Sequence, residues 1–121
     1  MRKFSRVPYL LMTALLLLAS CGKQYEAKGL VKDFVKANAT KEINIDSFTD
    51  LDSTRVISDS VIMALRENVK TDSMFRKGTQ LTADRKSQTL LYIRMRYLED
   101  SLELSKTFYF NPDLDGIVAF K

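Results

Sequence analysis

Histidine and tryptophan are absent from the 121 residues, and cysteine occurs once. Without histidine the chain has no imidazole to act as a general base, to activate a serine or cysteine nucleophile, or to bind a metal ion. A single cysteine cannot form a disulfide within the chain. The four glycines are isolated from one another, so there is no glycine-rich phosphate loop. These absences predict a protein that is not an enzyme, with no catalytic residues, no metal site and no cofactor.

The basic residues are unevenly distributed along the chain. The whole sequence has a formal charge of +4, from 19 basic and 15 acidic residues. Three of the basic residues are Arg2, Lys3 and Arg6, and no acidic residue precedes Cys21, so the remainder holds 16 basic against 15 acidic residues. A net charge of +1 is too small for the basic surface that nucleic acids require, and we expect no nucleic-acid partner.

The first twenty residues are arranged like a secretory signal. A basic start, Met1–Arg6, is followed by the almost wholly apolar run Val7–Leu18 and by the small residues Ala19 and Ser20. This order is typical of a cleaved signal peptide. The apolar run contains Pro8 and is shorter than the about 20 residues that a membrane-spanning helix needs. We therefore predict a signal peptide and not a transmembrane helix.

The residues Leu18-Ala19-Ser20-Cys21 resemble the lipobox of bacterial lipoproteins. The resemblance implies that diacylglycerol is attached to Cys21 through a thioether, that the chain is cut before this cysteine, and that the mature protein carries two or three acyl chains. One acyl chain holds a protein only reversibly, whereas several anchor it lastingly. The resemblance therefore implies a lipid anchor at Cys21, with the membrane itself as a partner.

The residues after Cys21 indicate where such a lipoprotein is sorted. Gly22 stands where an Asp often retains enterobacterial lipoproteins in the inner membrane. The segment Gly22–Glu26 also lacks the acidic cluster that some Gram-negative groups use for display on the cell surface. By this resemblance we expect the cell outer membrane, with the protein on its periplasmic face.

Three parts are predicted along the chain. Residues 1–20 are the lipoprotein signal peptide, residues 21–24 are the lipidated cysteine with a short tether, and residues 25–121 are one domain. The last part is near the common size of a domain with a single core. A helix is predicted to begin near Tyr25, which would keep the domain close to the lipid surface.

Two segments have apolar residues at helical spacing. In the first, residues 25–38, one face carries Ala27, Leu30, Val31, Phe34 and Val35. The second follows Ser58, whose hydroxyl can cap a helix. Its apolar face is predicted to hold Val61, Ile62, Leu65 and Val69.

In the C-terminal third of the chain, apolar and polar residues alternate with the period of two that is typical of strands. A hairpin is predicted that pairs Leu98 with Glu103, Tyr97 with Leu104, Ile93 with Phe108 and Leu91 with Phe110. A further strand is predicted between Ile43 and Ile57, and a last one over Ile117–Phe120. Together the elements predict an α+β fold. An N-terminal amphipathic helix packs on a three- or four-stranded antiparallel sheet with a C-terminal meander, and a second helix is possible.

The order of these elements, from the helix around Val31–Asn38 to the strands ending near Gly116, resembles small uncharacterised lipoproteins of Gram-negative anaerobes. The layout also resembles cystatin-like and nuclear-transport-factor-2-like folds, in which a sheet wraps a helix. Neither resemblance implies a catalytic residue in this chain.

Two groups of residues could carry binding chemistry. Tyr92, Arg94 and Arg96 share a strand face with Tyr109, and this face could contact a protein or grip an acidic ligand, unless the second helix covers it. The run Asn111–Gly116 matches the start of a calcium loop, but the same residue types form turns, and we favour the turn.

The expected function is a membrane-tethered, non-enzymatic interaction or structural module of the cell envelope, with an envelope protein as its partner. The alternative is a lipoprotein that binds a small ligand or an acidic glycan through the face that holds Tyr92, Arg94 and Arg96. An enzyme of the nuclear-transport-factor-2-like type is the third possibility, although the acid–base side chains of such a pocket have no counterpart here.

Overall fold

The computed structural model describes the backbone of residues 7–121 and the side chains of residues 22–121. The predicted signal segment and the side chain of Cys21 therefore lie outside the described side chains. The elements in chain order are α1 (Val7–Asn38), β1 (Asn44–Phe48), β2 (Asp52–Thr54), α2 (Asp59–Asn68), β3 (Leu90–Glu99), β4 (Leu102–Phe110) and β5 (Ala119–Phe120). A 3-10 turn, Val69–Thr71, directly follows α2.

All strand pairs of the sheet are antiparallel, which confirms the predicted α+β fold. The strand order is β1-β3-β4-β5, and β2 pairs with the same strand, β3, as β1 does. The strand predicted between Ile43 and Ile57 is thus present as two short strands, separated by Thr49–Leu51. The sheet has five strands but is four strands wide.

The predicted hairpin register is confirmed for every pair. Leu98 lies opposite Glu103, Tyr97 opposite Leu104, Ile93 opposite Phe108, and Leu91 opposite Phe110. The last strand is shorter than predicted, because β5 includes only Ala119 and Phe120. Its predicted start, Ile117, instead accepts hydrogen bonds at its carbonyl from the N–H groups of Thr82 and Ala83, both at 3.2 Å.

The inner face of the sheet packs against α1. Of the predicted inward residues of this helix, Ala27, Val31, Phe34 and Val35 are buried, and Leu30 packs against the same cluster. They meet a set of buried strand residues: Ile93, Met95, Tyr97, Phe108, Phe110 and Phe120. Because the alternate apolar residues of β3 and β4 point to this side of the sheet, the helix and the hairpin bury each other's apolar faces.

The outer face of the sheet is partly covered by α2. Ser58 caps this helix, since its hydroxyl oxygen accepts a hydrogen bond from the N–H of Val61 at 3.3 Å. Ile62 and Val69 are buried as predicted, but Val61 is 46% exposed. The prediction for Val61 was wrong because α2 touches the sheet along a narrow stripe, and position 61 lies at its edge.

The prediction that the first helix begins near Tyr25 was also wrong. Helix α1 runs without a break through residues 22–24, so the chain is helical where an extended linker was expected. The side chain of Gln24 stabilises this turn, because its Oε1 accepts a hydrogen bond from the N–H of Leu51 at 3.0 Å. Among the described residues, no helix combines the length and apolarity that crossing a membrane requires.

Candidate interaction surface

The outer face of the β3–β4 hairpin holds the four residues that the sequence suggested for binding. Tyr92 lies opposite Tyr109, Arg94 opposite Thr107, and the ring centroids of the two tyrosines are 6.2 Å apart. Since alternate residues of a strand share a face, Arg96 follows on the same side. The structure therefore places Tyr92, Arg94, Arg96 and Tyr109 on one face.

Helix α2 divides this face into a covered half and an open half. Tyr109 is only 4% exposed and packs in a cluster with Ile62, Leu90, Val118 and Ala119. Tyr92 is half-buried at the border of this cluster. Tyr109 is therefore a packing residue under α2, and it is not available to a partner on the surface.

The open half of the face carries two exposed arginines, Arg94 and Arg96. Arg94 donates a hydrogen bond from Nε to Oγ1 of Thr107 at 3.3 Å, which orients the guanidinium along the sheet. Within the part of the chain that the structure describes, neither Arg94 nor Arg96 has a carboxylate within 4 Å. Both side chains can therefore form charge-assisted hydrogen bonds with another molecule.

Three exposed leucines surround the far end of the hairpin. Leu98 and Leu104 are each 38% exposed, and Leu102 is 65% exposed. The connecting residues Asp100 and Ser101 both have positive φ angles, 51° and 70°, as a two-residue hairpin turn that matches strand twist requires. We define the hairpin-tip surface as Arg94, Arg96, Leu98, Leu102 and Leu104. Leu98 and Leu104 lie on the predicted strands, and the sequence pattern gave no sign that the core would stop short of them.

One edge of β4 is open beside this surface. The short strand β5 pairs only with Phe108 and Tyr109, and Lys121 adds two hydrogen bonds with Thr107, at 2.9 and 3.0 Å. Hydrogen-bonding direction alternates along an antiparallel strand, so the main-chain groups of Ser105 and Glu103 continue the series that Thr107 begins. Within the described residues no strand pairs with them on that side.

The calcium-like run at Asn111–Gly116 is a turn held by its own side chains. Asn111 is buried, and its Oδ1 accepts a hydrogen bond from the N–H of Lys86 at 2.8 Å. The Nζ of Lys86 lies 2.7 Å from Oδ2 of Asp115 and 3.4 Å from Oδ2 of Asp113. The Lys86 ammonium and the Asn111 amide lower the pKa of Asp115, while hydrogen bonds to Asp115 raise the pKa of Lys86. A lysine thus stands where a calcium ion would have to bind.

A partly buried ion pair lies on the inner face of the sheet, between Lys106 of β4 and Asp72. Lys106 donates a hydrogen bond from Nζ to Oδ2 of Asp72 at 2.6 Å, and its Nζ is 5.7 Å from the ring centroid of Phe120. Strand alternation places the Lys106 side chain on the inner face, and Asp72 neutralises its charge there. It is a packing feature and leaves no free group for binding.

Known proteins offer no guide to these residues. No family model, no curated protein and no solved structure matches the chain. In the part of the chain that is described, no group of three or more His, Cys, Asp or Glu side chains is placed to hold a metal ion. The chemistry of the hairpin-tip surface therefore has to be derived from its own residues.

Proposed function

We propose that the chain is a lipoprotein, anchored through Cys21 to the periplasmic face of the outer membrane, that docks onto an envelope protein through its hairpin-tip surface. No step of this function is enzymatic. The observation that carries the proposal is the open edge of β4 flanked by exposed leucines, on a chain whose first residues resemble a lipoprotein signal.

The anchor and the domain are expected to lie close together. Residues 22–24 are helical and Gln24 is hydrogen-bonded to Leu51, so the rise between Cys21 and Gln24 is only about 5 Å at 1.5 Å per residue. A domain so close to the lipid has little freedom to reorient. We expect this arrangement to favour partners that are themselves in the membrane or on its surface.

The hairpin-tip surface suits an extended segment of a partner. The main-chain groups of Glu103 and Ser105 can hydrogen-bond to an added strand, as in other proteins that bind peptides along a sheet edge. Leu102 and Leu104 can bury apolar side chains of that strand on the inner side, and Arg94 and Arg96 can pair with acidic groups on the outer side. We therefore expect a partner segment that alternates apolar and acidic residues.

The anchor can be tested by mass spectrometry of the protein isolated from membranes. We expect cleavage before Cys21 and a mass increase that corresponds to a diacylglyceryl group with or without a further acyl chain. The variant Cys21→Ser should lose the lipid and leave the membrane fraction. An unmodified Cys21 in the native product would contradict the anchor and leave the docking proposal untouched.

The docking can be tested with variants of the open edge. Ser105→Pro removes an N–H that faces away from β3, so the hairpin should survive while strand addition is blocked. Leu102→Asp places a charge among the exposed leucines. Crosslinking in the envelope should lose the same stoichiometric partner with both variants and keep it with Val56→Asp, since Val56 is 91% exposed at a distant site. Equal crosslinking in all three variants would count against the hairpin-tip surface.

A second candidate function is the binding of an acidic glycan or small anion by Tyr92, Arg94 and Arg96. The absence of carboxylates within 4 Å of both arginines, among the described residues, favours this candidate. The open, shallow face gives such a ligand few walls to bind against. Replacing Arg94 and Arg96 by Ala should abolish binding of an acidic oligosaccharide if this function holds, and unchanged binding would exclude it.

A further inference from the structure

A groove of about 510 Å³ lies at the C-terminal end of α1, on the β1 side of the hairpin, where its lining residue Lys41 pairs with Glu99 near the hairpin tip. One wall is the last two turns of α1, with Lys32 and Lys36 toward the groove, and the other includes Arg76 from the loop after α2. The volume is within the range of about 300–1,000 Å³ that is typical of ligand sites. The groove therefore has the size to hold a small molecule.

The floor of the groove is apolar. It is formed by Val35 of α1 and Ala39 just after this helix, both buried, and by Ile43 and Ile45, which are half-buried. Ile45 lies in β1, opposite the buried Tyr97 of β3. The exposed parts of the isoleucines face the groove, so an apolar ligand that covered them would remove apolar surface from water.

The rim of the groove is strongly cationic. It carries Lys32, Lys36, Lys41 and Arg76 against one acidic residue, Glu42. Lys41 is paired with Glu99 at 3.0 Å, whereas the other three cations have no carboxylate within 4 Å among the described residues. This concentration of charge contrasts with a net charge of only +1 from residue 21 onward.

Main-chain hydrogen bonds hold the two walls together. The N–H of Arg76 donates to the carbonyl of Asn38 at 2.9 Å, and the N–H of Thr40 donates to the carbonyl of Met74 at 2.8 Å. Ala39 and Phe75 form an isolated antiparallel bridge between these two bonds. The groove is thus preformed, and a ligand would not have to order the loop that contains Arg76.

We propose that this groove binds a single-chain anionic amphiphile, such as a fatty acid, which has one anionic head and one hydrocarbon chain. Its head pairs with Lys36 and Arg76, and its chain lies on Ile43 and Ile45. Lys32 lies over the Phe48 ring at 5.8 Å, whereas Lys36 and Arg76 have no carboxylate within 4 Å among the described residues. Charge complementarity to these two cations selects the anion, and the apolar floor selects a ligand with a hydrocarbon chain. A simple anion would leave the floor uncovered, and a neutral hydrocarbon would leave the cations unpaired.

The bilayer itself is not the expected occupant. Lys36 lies 15 residues beyond Cys21 on the same helix, which is about 22 Å along its axis at 1.5 Å per residue. If Cys21 is anchored as proposed and α1 stands upright on the membrane, the groove lies outside the headgroup region of its own membrane. This one step rests on the proposed function, whereas binding of a free amphiphile does not.

The test uses the full chain in phosphatidylcholine nanodiscs and a fatty acid that carries a diazirine near the end of its chain. Light-induced adducts are mapped by peptide mass spectrometry, and three competitors are compared: dodecanoate, dodecyltrimethylammonium and butanoate. We expect saturable adducts within residues 32–45 that dodecanoate prevents and that the other two do not. Lys36→Glu and Arg76→Glu should each weaken binding about tenfold, as expected when a charge-assisted hydrogen bond is lost.

Lys77→Glu is the matched control, because Lys77 is exposed beside Arg76 and does not line the groove. It should leave the adducts unchanged. Equal loss with Lys77→Glu and Arg76→Glu would overturn the proposal, since general charge would then explain binding. Equal competition by dodecyltrimethylammonium, or adducts only outside residues 32–45, would overturn it as well. None of these results depends on whether Cys21 is acylated or the hairpin tip has a partner.

Discussion

Helices α1 and α2 cover opposite faces of the same sheet, and hydrogen bonds contribute more to holding α2 than to holding α1. On the inner face, Phe34 of α1 lies 5.3 Å from Phe75 and 5.9 Å from Phe120 between ring centroids, in a cluster made almost wholly of apolar residues. On the outer face, Ile62 is the one buried residue of α2. There Arg66 instead donates hydrogen bonds from one guanidinium nitrogen to the carbonyls of Ala83 and Val118, both at 2.8 Å.

This difference indicates how the domain should come apart. Apolar burial on the inner face is spread over many residues, so no single contact controls it. The outer face combines a smaller apolar cluster with a few directed hydrogen bonds, so losing the bonds of Arg66 should loosen α2 while the inner core persists. Local opening of this kind is typical of elements with few buried apolar contacts.

The largest effect is expected from Phe108→Ala, which breaks the inner face. Phe108 is fully buried, with its ring centroid 5.4 Å from that of Phe120 and 6.5 Å from that of Phe34. Replacing a buried phenylalanine by alanine should lower the free energy of unfolding by about 3–5 kcal/mol. Guanidinium denaturation of the purified domain measures this. Leu104→Ala, at an exposed position on the same strand face, should cost much less, and equal losses would contradict a core that ends before the hairpin tip.

A smaller and more local effect is expected from Arg66→Met, which breaks the outer face. Methionine keeps much of the apolar stem but cannot donate to Ala83 and Val118. Since a hydrogen bond from a charged group contributes about 1.5–3 kcal/mol and these two bonds share one donor nitrogen, we expect a loss of about 2–3 kcal/mol. Hydrogen exchange should become faster in α2 and β5 and stay slow in α1. Arg55→Met, at an exposed position, is the control, and a uniform increase across the whole domain would show that the two faces open together.

The helix cap provides a finer test of the outer face. Ser58→Ala removes the acceptor for the N–H of Val61 and should cost about 1 kcal/mol, whereas Ser58→Asp should keep most of the stability. The loss should appear as faster hydrogen exchange in the first turn of α2. If Ser58→Asp were as unstable as Ser58→Ala, the hydroxyl would act through something other than capping.

The sequence was sufficient to predict the inner face and insufficient for the outer one. Apolar and polar residues alternate over a long stretch of β3 and β4. A shift of one position in the register would turn every apolar side chain outward, so this alternation was enough to predict the pairing of Ile93 with Phe108. Helix α2 is short and its contacts are mixed. Arg66 lies four residues after Ile62 on the buried side, but a charged residue is expected to face water, and its acceptors come from distant loops.

The same limit explains what was missed at the candidate sites. Whether Tyr109 is open depends on where α2 lies, which no residue near Tyr109 indicates. The exposed leucines of the hairpin tip look like core residues in the sequence. Leu102 and Leu104 are exposed because α1 ends before it reaches them on the inner face, and Leu98 because α2 does not reach it on the outer face. The cationic groove joins Lys36 to Arg76 through main-chain bonds between Asn38 and Arg76, and no local pattern predicts that contact.

The smallest effect is expected from Asp115→Asn, in the turn of residues 111–118 that contributes side chains to both faces of the sheet. Leu114 and Ile117 pack in the inner cluster, and Val118 packs in the outer one. Asp115 holds this turn through its ion pair with Lys86 at 2.7 Å. Hydrogen bonds from Lys86, and then from Asn111, lower the pKa of Asp115 below its ordinary value of 3.8.

A carboxyl group whose pKa is lowered by folding stabilises the folded state above its unfolded pKa, and this contribution is lost as the pH falls through the folded pKa. Stability should therefore decrease below about pH 4, and Asp115→Asn should reduce that decrease. Denaturation at about pH 6 and about pH 2 measures the difference, with the exposed Asp46→Asn as control. Because the turn contributes to both clusters, hydrogen exchange at low pH should rise in α2 and around Phe120 together. A rise confined to α2 would show that the turn serves the outer face alone.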